Sequence, residues 1–160
     1  MADPAASIYP LSMHFALIDR ILRRDEDSLV AIKHVSAAEE YLQDHFPSYP
    51  VLPGVMMLEA MVQAARALLN TDTPHVLGKV AALKYGSFVR PGDSILVQAT
   101  RTRTNEDGST EFRGEVRLVL PGSSIDAPDL PKAAAGKLTL RPMRSSPRAG
   151  LAVGSVGQTA

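Results

Sequence analysis

The sequence predicts an α+β domain: one long apolar helix wrapped by a curved antiparallel sheet of about six strands. Three observations lead there. Val55 to about Asn70 reads as a helix that is apolar on nearly every side, so something must enclose it. Four strand-like runs follow that helix and two precede it. The connections Arg90-Pro91-Gly92-Asp93 and Asn105-Glu106-Asp107-Gly108-Ser109 are tight turns that join antiparallel neighbours. A chain of 160 residues fits one such domain with a real core and is too short for two ordinary ones.

Taken in order, Phe15 to Leu22 and Leu29 to Val35 are short apolar or β-branched runs separated by the charged turn Arg23 to Ser28, and they read as the first two strands. Ser36-Ala37-Ala38-Glu39 has a serine where an N-cap belongs and a glutamate three residues on, which predicts a short helix through Leu42. Pro50 and Pro53 then force an extended approach to Pro53-Gly54, which opens the long helix. Val76 to Val89, Asp93 to Thr104, Thr110 to Leu120 and Ala133 to Arg141 read as the remaining strands, with a longer loop from Pro121 to Pro131. The folded domain is expected over residues 8–142. The stretch 143–160 is small, polar and Gly/Ser-rich and is expected to be a disordered tail.

Composition removes several functions. Lys plus Arg and Asp plus Glu number 17 each, so no whole-chain field favours nucleic acid or an anionic membrane. There are no cysteines, hence no disulfide, no thiolate zinc site and no cysteine nucleophile. The first residues lack the basic and apolar regions of a secretory signal, and the longest nearly apolar run is interrupted by Glu59, Gln63 and Arg66. A soluble, cytoplasmic protein without membrane insertion is the expectation.

The chemistry concentrates between His45 and Gln63. Glu59, Gln63 and Arg66, offset by four and three residues, share one stripe of the helix. Glu59 is flanked by Met57, Leu58, Ala60 and Met61, and burial among them would penalise its charged form and suit it to general acid work. The bland alternative is a glutamate that solvates an exposed helix edge. His45, held between a short helix and Phe46-Pro47, is a candidate base, although a loop histidine more often has no role. His14, His34 and His75 receive that bland reading. Gly54 opens the helix, where unpaired N–H groups favour developing negative charge and the missing side chain admits a ligand. A base, an acid and an oxyanion donor are the set needed to remove an α-proton and expel a β-hydroxyl from a thioester.

The run HFPSYPVLPGVMMLEAMVQ, His45 to Gln63, closely resembles the hallmark HFPxxPxxPGVLxxEAMAQ of the β-hydroxyacyl-acyl-carrier-protein dehydratases. Leu17-Ile18-Asp19-Arg20, Lys33-His34-Val35-Ser36 and Val89-Arg90-Pro91-Gly92-Asp93 are similar to further segments of that family, extending the likeness over roughly residues 10–142. The resemblance implies a hot-dog fold that forms a homodimer, often a trimer of dimers, with His45 of one subunit facing Glu59 of the other. His45 would take the C2 proton and Glu59 would protonate the departing C3 hydroxyl of a (3R)-3-hydroxyacyl thioester carried on acyl carrier protein, giving a trans-2-enoyl thioester. The Gly54 N–H would hold the thioester carbonyl, with Val55 beside it. Gln63 would orient the carboxyl, with Phe46 and Pro53 in support, and neither a metal nor an organic cofactor is implied. Asp44, Ser48 and Tyr49 depart from the family's usual residues, as does Pro10 to His14. A hot-dog thioesterase needs no histidine at position 45, and a non-catalytic acyl-binding subunit would be favoured by loss of His45 or Glu59, both of which are present. Arg20, Arg23, Arg24, Lys84, Arg101 and Arg103 are candidates for docking an acidic carrier, although charged strand edges usually serve solubility.

Overall fold

The computed structural model describes residues 15–144. The expected disordered tail falls almost wholly outside them, as do residues 8–14 of the expected domain. Six strands are found: β1 (Arg20–Arg24), β2 (Ser28–His34), β3 (His75–Tyr85), β4 (Ser94–Thr104), β5 (Thr110–Val119) and β6 (Lys132–Pro142). They form one antiparallel sheet in the order β1-β2-β4-β5-β6-β3. The single α-helix among the described residues, α1 (Gly54–Leu69), connects β2 to β3 and carries the chain from one side of the sheet to the other edge. The expected fold class is the observed one.

α1 begins where Pro53, at φ −57°, presents its carbonyl to the Met56 and Met57 N–H groups, at 2.9 and 3.4 Å. It ends at Asn70, which takes the left-handed conformation at φ 45° that asparagine tolerates better than most residues. Met57, Ala60, Met61, Ala64, Ala65 and Leu68 face the concave side of the sheet. There they join Leu29 and Ala31 of β2, Val97 and Ala99 of β4, Phe112 and Val116 of β5, and Leu138 and Leu140 of β6. The approach is close enough that a Cβ on Gly114 of β5 would lie 2.5 Å from Met61 Sδ. Only glycine lets the helix sit so near the strand.

Two sequence expectations fail near the N-terminal end. Phe15 to Asp19 is not strand: β1 starts at Arg20, because Phe15 O and Leu17 N bond to the Gln63 side chain of α1, and Asp19 N, which bonds to Ile32 O at 2.9 Å, brings the chain to β2. The helix expected from Ser36 is only a 3-10 turn, Glu40–Leu42. Ser36 Oγ accepts from Ala38 N at 3.1 Å, and the Glu39 carboxylate that a capping box needs is taken by Lys33 Nζ at 2.7 Å. The other boundaries move by at most four residues, the largest shift being β3, which stops at Tyr85 before Gly86 and Ser87 bond to Ala133 O and Lys132 O.

Candidate active site

His45 sits in a loop that closes on itself. Val51 N donates to His45 O at 2.9 Å, and His45 Nδ1 lies 3.0 Å from Val51 O. A carbonyl oxygen can only accept, so Nδ1 carries the hydrogen and Nε2 keeps the lone pair, the tautomer a base requires. Phe46 N and Tyr49 N exchange bonds with each other's carbonyls inside this loop, and the Phe46 ring stacks on the imidazole at 4.5 Å. Leu52 N then anchors the loop to Val89 O at 2.8 Å. Tyr49, one of the departures from the family pattern, bonds through its hydroxyl to Arg90, whose guanidinium also lies 4.6 Å from the Tyr49 ring centre. Asp44 is exposed and makes no hydrogen bond or ion pair with His45.

Gly54 and Val55, the first two residues of α1, find no acceptor for their N–H groups among the described residues, since the intrahelical bonds begin with Met56. Both donors stand at the positive end of the helix dipole. Tyr85, the last residue of β3, roofs this end: a Cβ on Gly54 would lie 2.7 Å from its ring. Val55 is 64% exposed and Pro53 is buried.

Of the two readings left open for Glu59, the single chain shows the partly exposed one. Glu59 is not enclosed by its apolar neighbours: its side chain is 38% exposed and pairs with Arg66, Nη1 to Oε1, at 3.5 Å. The apolar flanks point toward the core while Glu59 itself lies on the stripe that the sheet leaves open. Gln63 is the buried member of that stripe, 3% exposed, and its amide is saturated. Oε1 accepts from Leu17 N at 2.9 Å, and Nε2 donates to Phe15 O at 3.1 Å and to Glu59 Oε1 at 3.2 Å. One side chain thus fixes the chain entering β1 and the candidate acid together.

Next to this segment lies a polar network that sequence reasoning missed. Lys33 Nζ, 7% exposed, bridges Glu39 at 2.7 Å and Asp19 at 3.4 Å. Tyr41 packs edge-on against Phe15, and its hydroxyl is buried without a hydrogen-bond partner. Burial, with the Glu39 carboxylate nearby, pushes the Tyr41 phenol well above its ordinary range. An apolar-strand lysine six positions before a glutamate was the only available signal.

His45 and Glu59 share no hydrogen bond within the chain. Among the proposed docking cations, Arg23 pairs with Asp126, Arg101 with Asp27, and Arg24 with Leu68 O, leaving Arg20, Lys84 and Arg103 without such partners among the described residues. No group of three or more potential metal ligands occurs among the described residues, and no helix there is long and apolar enough to cross a membrane.

Comparison with known proteins bears on this arrangement. Residues 22–122 match the family model described as ApeI-like, ApeI dehydratase, a span that contains His45 through Gln63. A 3-hydroxyacyl-[acyl-carrier-protein] dehydratase FabZ of Lactococcus lactis subsp. cremoris is 36% identical over 131 residues, covering 78% of this chain and 83% of that protein. A FabZ of Streptococcus pneumoniae is 35% identical over 129 residues, 77% of this chain and 84% of that one. Among solved structures, a chain of the dehydratase heterocomplex ApeI:P from Xenorhabdus doucetiae superposes with a TM-score of 0.66 at 16% identity, over 91% of this chain and 94% of that one. The E. coli PaaI protein superposes at 0.56 with 12% identity, over 76% and 80%. Those two show the fold alone, a hot-dog, whereas the sequence matches carry the lineage: this chain belongs to the ApeI-like, FabZ-related family of dehydratases.

Proposed function

We propose that the protein dehydrates 3-hydroxyacyl thioesters carried on acyl carrier protein to trans-2-enoyl thioesters, with His45 as base, Glu59 as acid and the Gly54 and Val55 N–H groups as the oxyanion site. The observation that carries the reading is that all four positions lie within the matched residues, each held in a state that suits its part. His45 offers Nε2 because Nδ1 is committed to Val51 O. Glu59 is steadied by Gln63 and keeps Oε2 without a donor among the described residues. The helix N-terminus has two N–H groups to spare for a thioester oxygen that gains charge as the C2 proton leaves.

The active unit is a homodimer in which His45 of one subunit faces Glu59 of the other. Two features support it. The two side chains do not meet within one chain, and the open stripe of α1 adjoins the unpaired edge of β3 and the exposed side chains of Phe46, Val55, Tyr85 and Phe88. An exposed apolar surface beside a long strand with one free edge is what a second copy covers. A trimer of such dimers is the larger assembly the family likeness implies. The cysteine-free composition supports action in the cytoplasm.

A spectrophotometric assay of enoyl-thioester hydration across chain lengths, with carrier-linked and coenzyme A substrates, tests the activity. His45→Ala and Glu59→Gln are each expected to lower kcat by about 100-fold or more, the usual contribution of a positioned acid or base. Wild-type rates in both variants would remove the mechanism. Thioester cleavage without an enoyl product would replace it with a thioesterase, and a monomer in solution with full activity would remove the shared site.

A further inference from the structure

Arg66 has no part in the motif that pointed to the site, yet it reaches the candidate acid. Its guanidinium makes two contacts with its planar fork: Nε donates to His75 O at 2.9 Å, and Nη1 lies 3.5 Å from Glu59 Oε1. His75 is the first residue of β3, so Arg66 is braced against the sheet edge while it touches a carboxylate on its own helix. Gln63 Nε2 donates to that same Oε1 at 3.2 Å. A hydrogen bond from Gln63 and the charge of Arg66 therefore converge on one oxygen of Glu59. Oε2 receives neither among the described residues.

An ion pair between side chains 37% and 38% exposed contributes little to stability. Its geometry is more specific than stability would require. A carboxyl hydrogen-bonded at one oxygen by a buried amide and approached at that same oxygen by a braced guanidinium is restrained in its rotation, and the proton it gives up leaves from the other oxygen. We propose that Arg66 is a positioning residue for the dehydration step, which with Gln63 clamps Glu59 Oε1 so that Oε2 delivers the proton. This rests on the assignment of Glu59 as the acid. In the step, His45 Nε2 takes the C2 proton and the C2–H electron pair forms the C2=C3 double bond. The C3–O bond breaks, the oxygen takes the proton from Oε2 and water departs. The negative charge left on Glu59 develops opposite a guanidinium already in place, so no reorganisation accompanies it. A lysine would supply the charge at a single point without the fork that spans His75 O and Glu59.

The experiment measures kcat, KM and melting temperature for wild type, Arg66→Met, Arg66→Lys and Arg66→Ala, the last with and without added methylguanidinium. Arg66→Met is expected to lower kcat by about tenfold with KM changed by less than about twofold, the pattern of a contact felt in the transition state. Arg66→Lys should fall between the two, and methylguanidinium should restore part of the Arg66→Ala rate while leaving wild type unchanged. A wild-type kcat in Arg66→Met overturns the proposal. So do equal losses in the Met and Lys variants that track a fall in melting temperature and resist rescue, because those assign Arg66 to tying α1 to β3. Glu59→Gln in the same series separates the two levels: a wild-type rate there removes the acid assignment itself, whereas loss there beside an unimpaired Arg66→Met removes only the clamp.

Discussion

The two faces of the sheet handle polar groups in opposite ways. On the concave face, beneath α1, few polar side chains are buried, and apart from the Tyr41 hydroxyl the buried groups near the site are individually matched. Gln63 makes three hydrogen bonds and Lys33 faces two carboxylates. On the convex face the strands present Arg113 directly opposite Lys137, Glu115 between Arg117 and Lys132, and a thin apolar cluster of Val30, Leu96, Val119 and Leu130 roofed by the 120–131 loop. Arg23 to Asp126 and Arg117 to the carbonyls of Pro128 and Leu130 strap that loop down. Gln63 and Lys33 on the concave face are cut off from solvent, so losing a partner of either leaves a buried group unpaired. Polar groups on the convex face can return to water.

The difference yields graded expectations. Gln63→Leu would leave the Leu17 N–H without its acceptor and free Glu59 on one side. A loss of about 2–4 kcal/mol in denaturant unfolding is expected, with a fall in kcat alongside. A loss under about 0.5 kcal/mol would mean that the concave face tolerates unmatched groups as the convex face does. Leu130→Ala removes the most buried side chain of the convex cluster, and the loop above can settle into the gap, so about 2 kcal/mol is expected with activity retained.

The smallest effect is a pH dependence. Burial tends to raise the Glu115 carboxyl, but hydrogen bonds from Lys132 and Arg117 and their charges outweigh it and hold the group below its usual range. A folded-state value below the unfolded one contributes stability that is present above the unfolded value, about 4.3 for glutamate, and is lost as pH falls through the folded value. Unfolding free energies of wild type and Glu115→Gln should therefore differ more at pH 7 than at pH 3. The difference should stay within about 1 kcal/mol, because the pair is partly solvated. A larger difference at the acid end would reverse the account.

The sequence made α1 legible because its signals are local: a proline-glycine start, an unbroken apolar run and an asparagine stop. The four later strands were legible from β-branched runs between glycine-bearing turns. The failures share a cause. Phe15 to Leu17 is tied to Gln63, nearly fifty residues away, instead of to a strand, and the Ser36 helix is pre-empted by Lys33, which captures the glutamate its cap needed. In both places a tertiary bond defeated a sound local pattern. In the site, the residue types at 45, 54, 59 and 63 could be read, but not the state of each. The Nδ1 commitment of His45 depends on how a loop closes, and the exposure of Glu59 depends on which stripe of α1 the sheet leaves open. Arg66 was visible only as the third polar residue of that stripe, because its brace on His75 O is a contact between elements.

The strand order also governs when the site can exist. Every other strand has a neighbour next to it in sequence, joined by a turn or a single loop, whereas β3 pairs with neither of its sequence neighbours but with β6, whose last residue is Pro142. During synthesis β3 must wait, unpaired, until three further strands have been made, and such non-local pairings are slow to form. Tyr85 above Gly54 and the His75 carbonyl that braces Arg66 both belong to β3. Catalytic competence is therefore among the last properties the chain acquires, and activity on refolding cannot appear before the edge strand has docked.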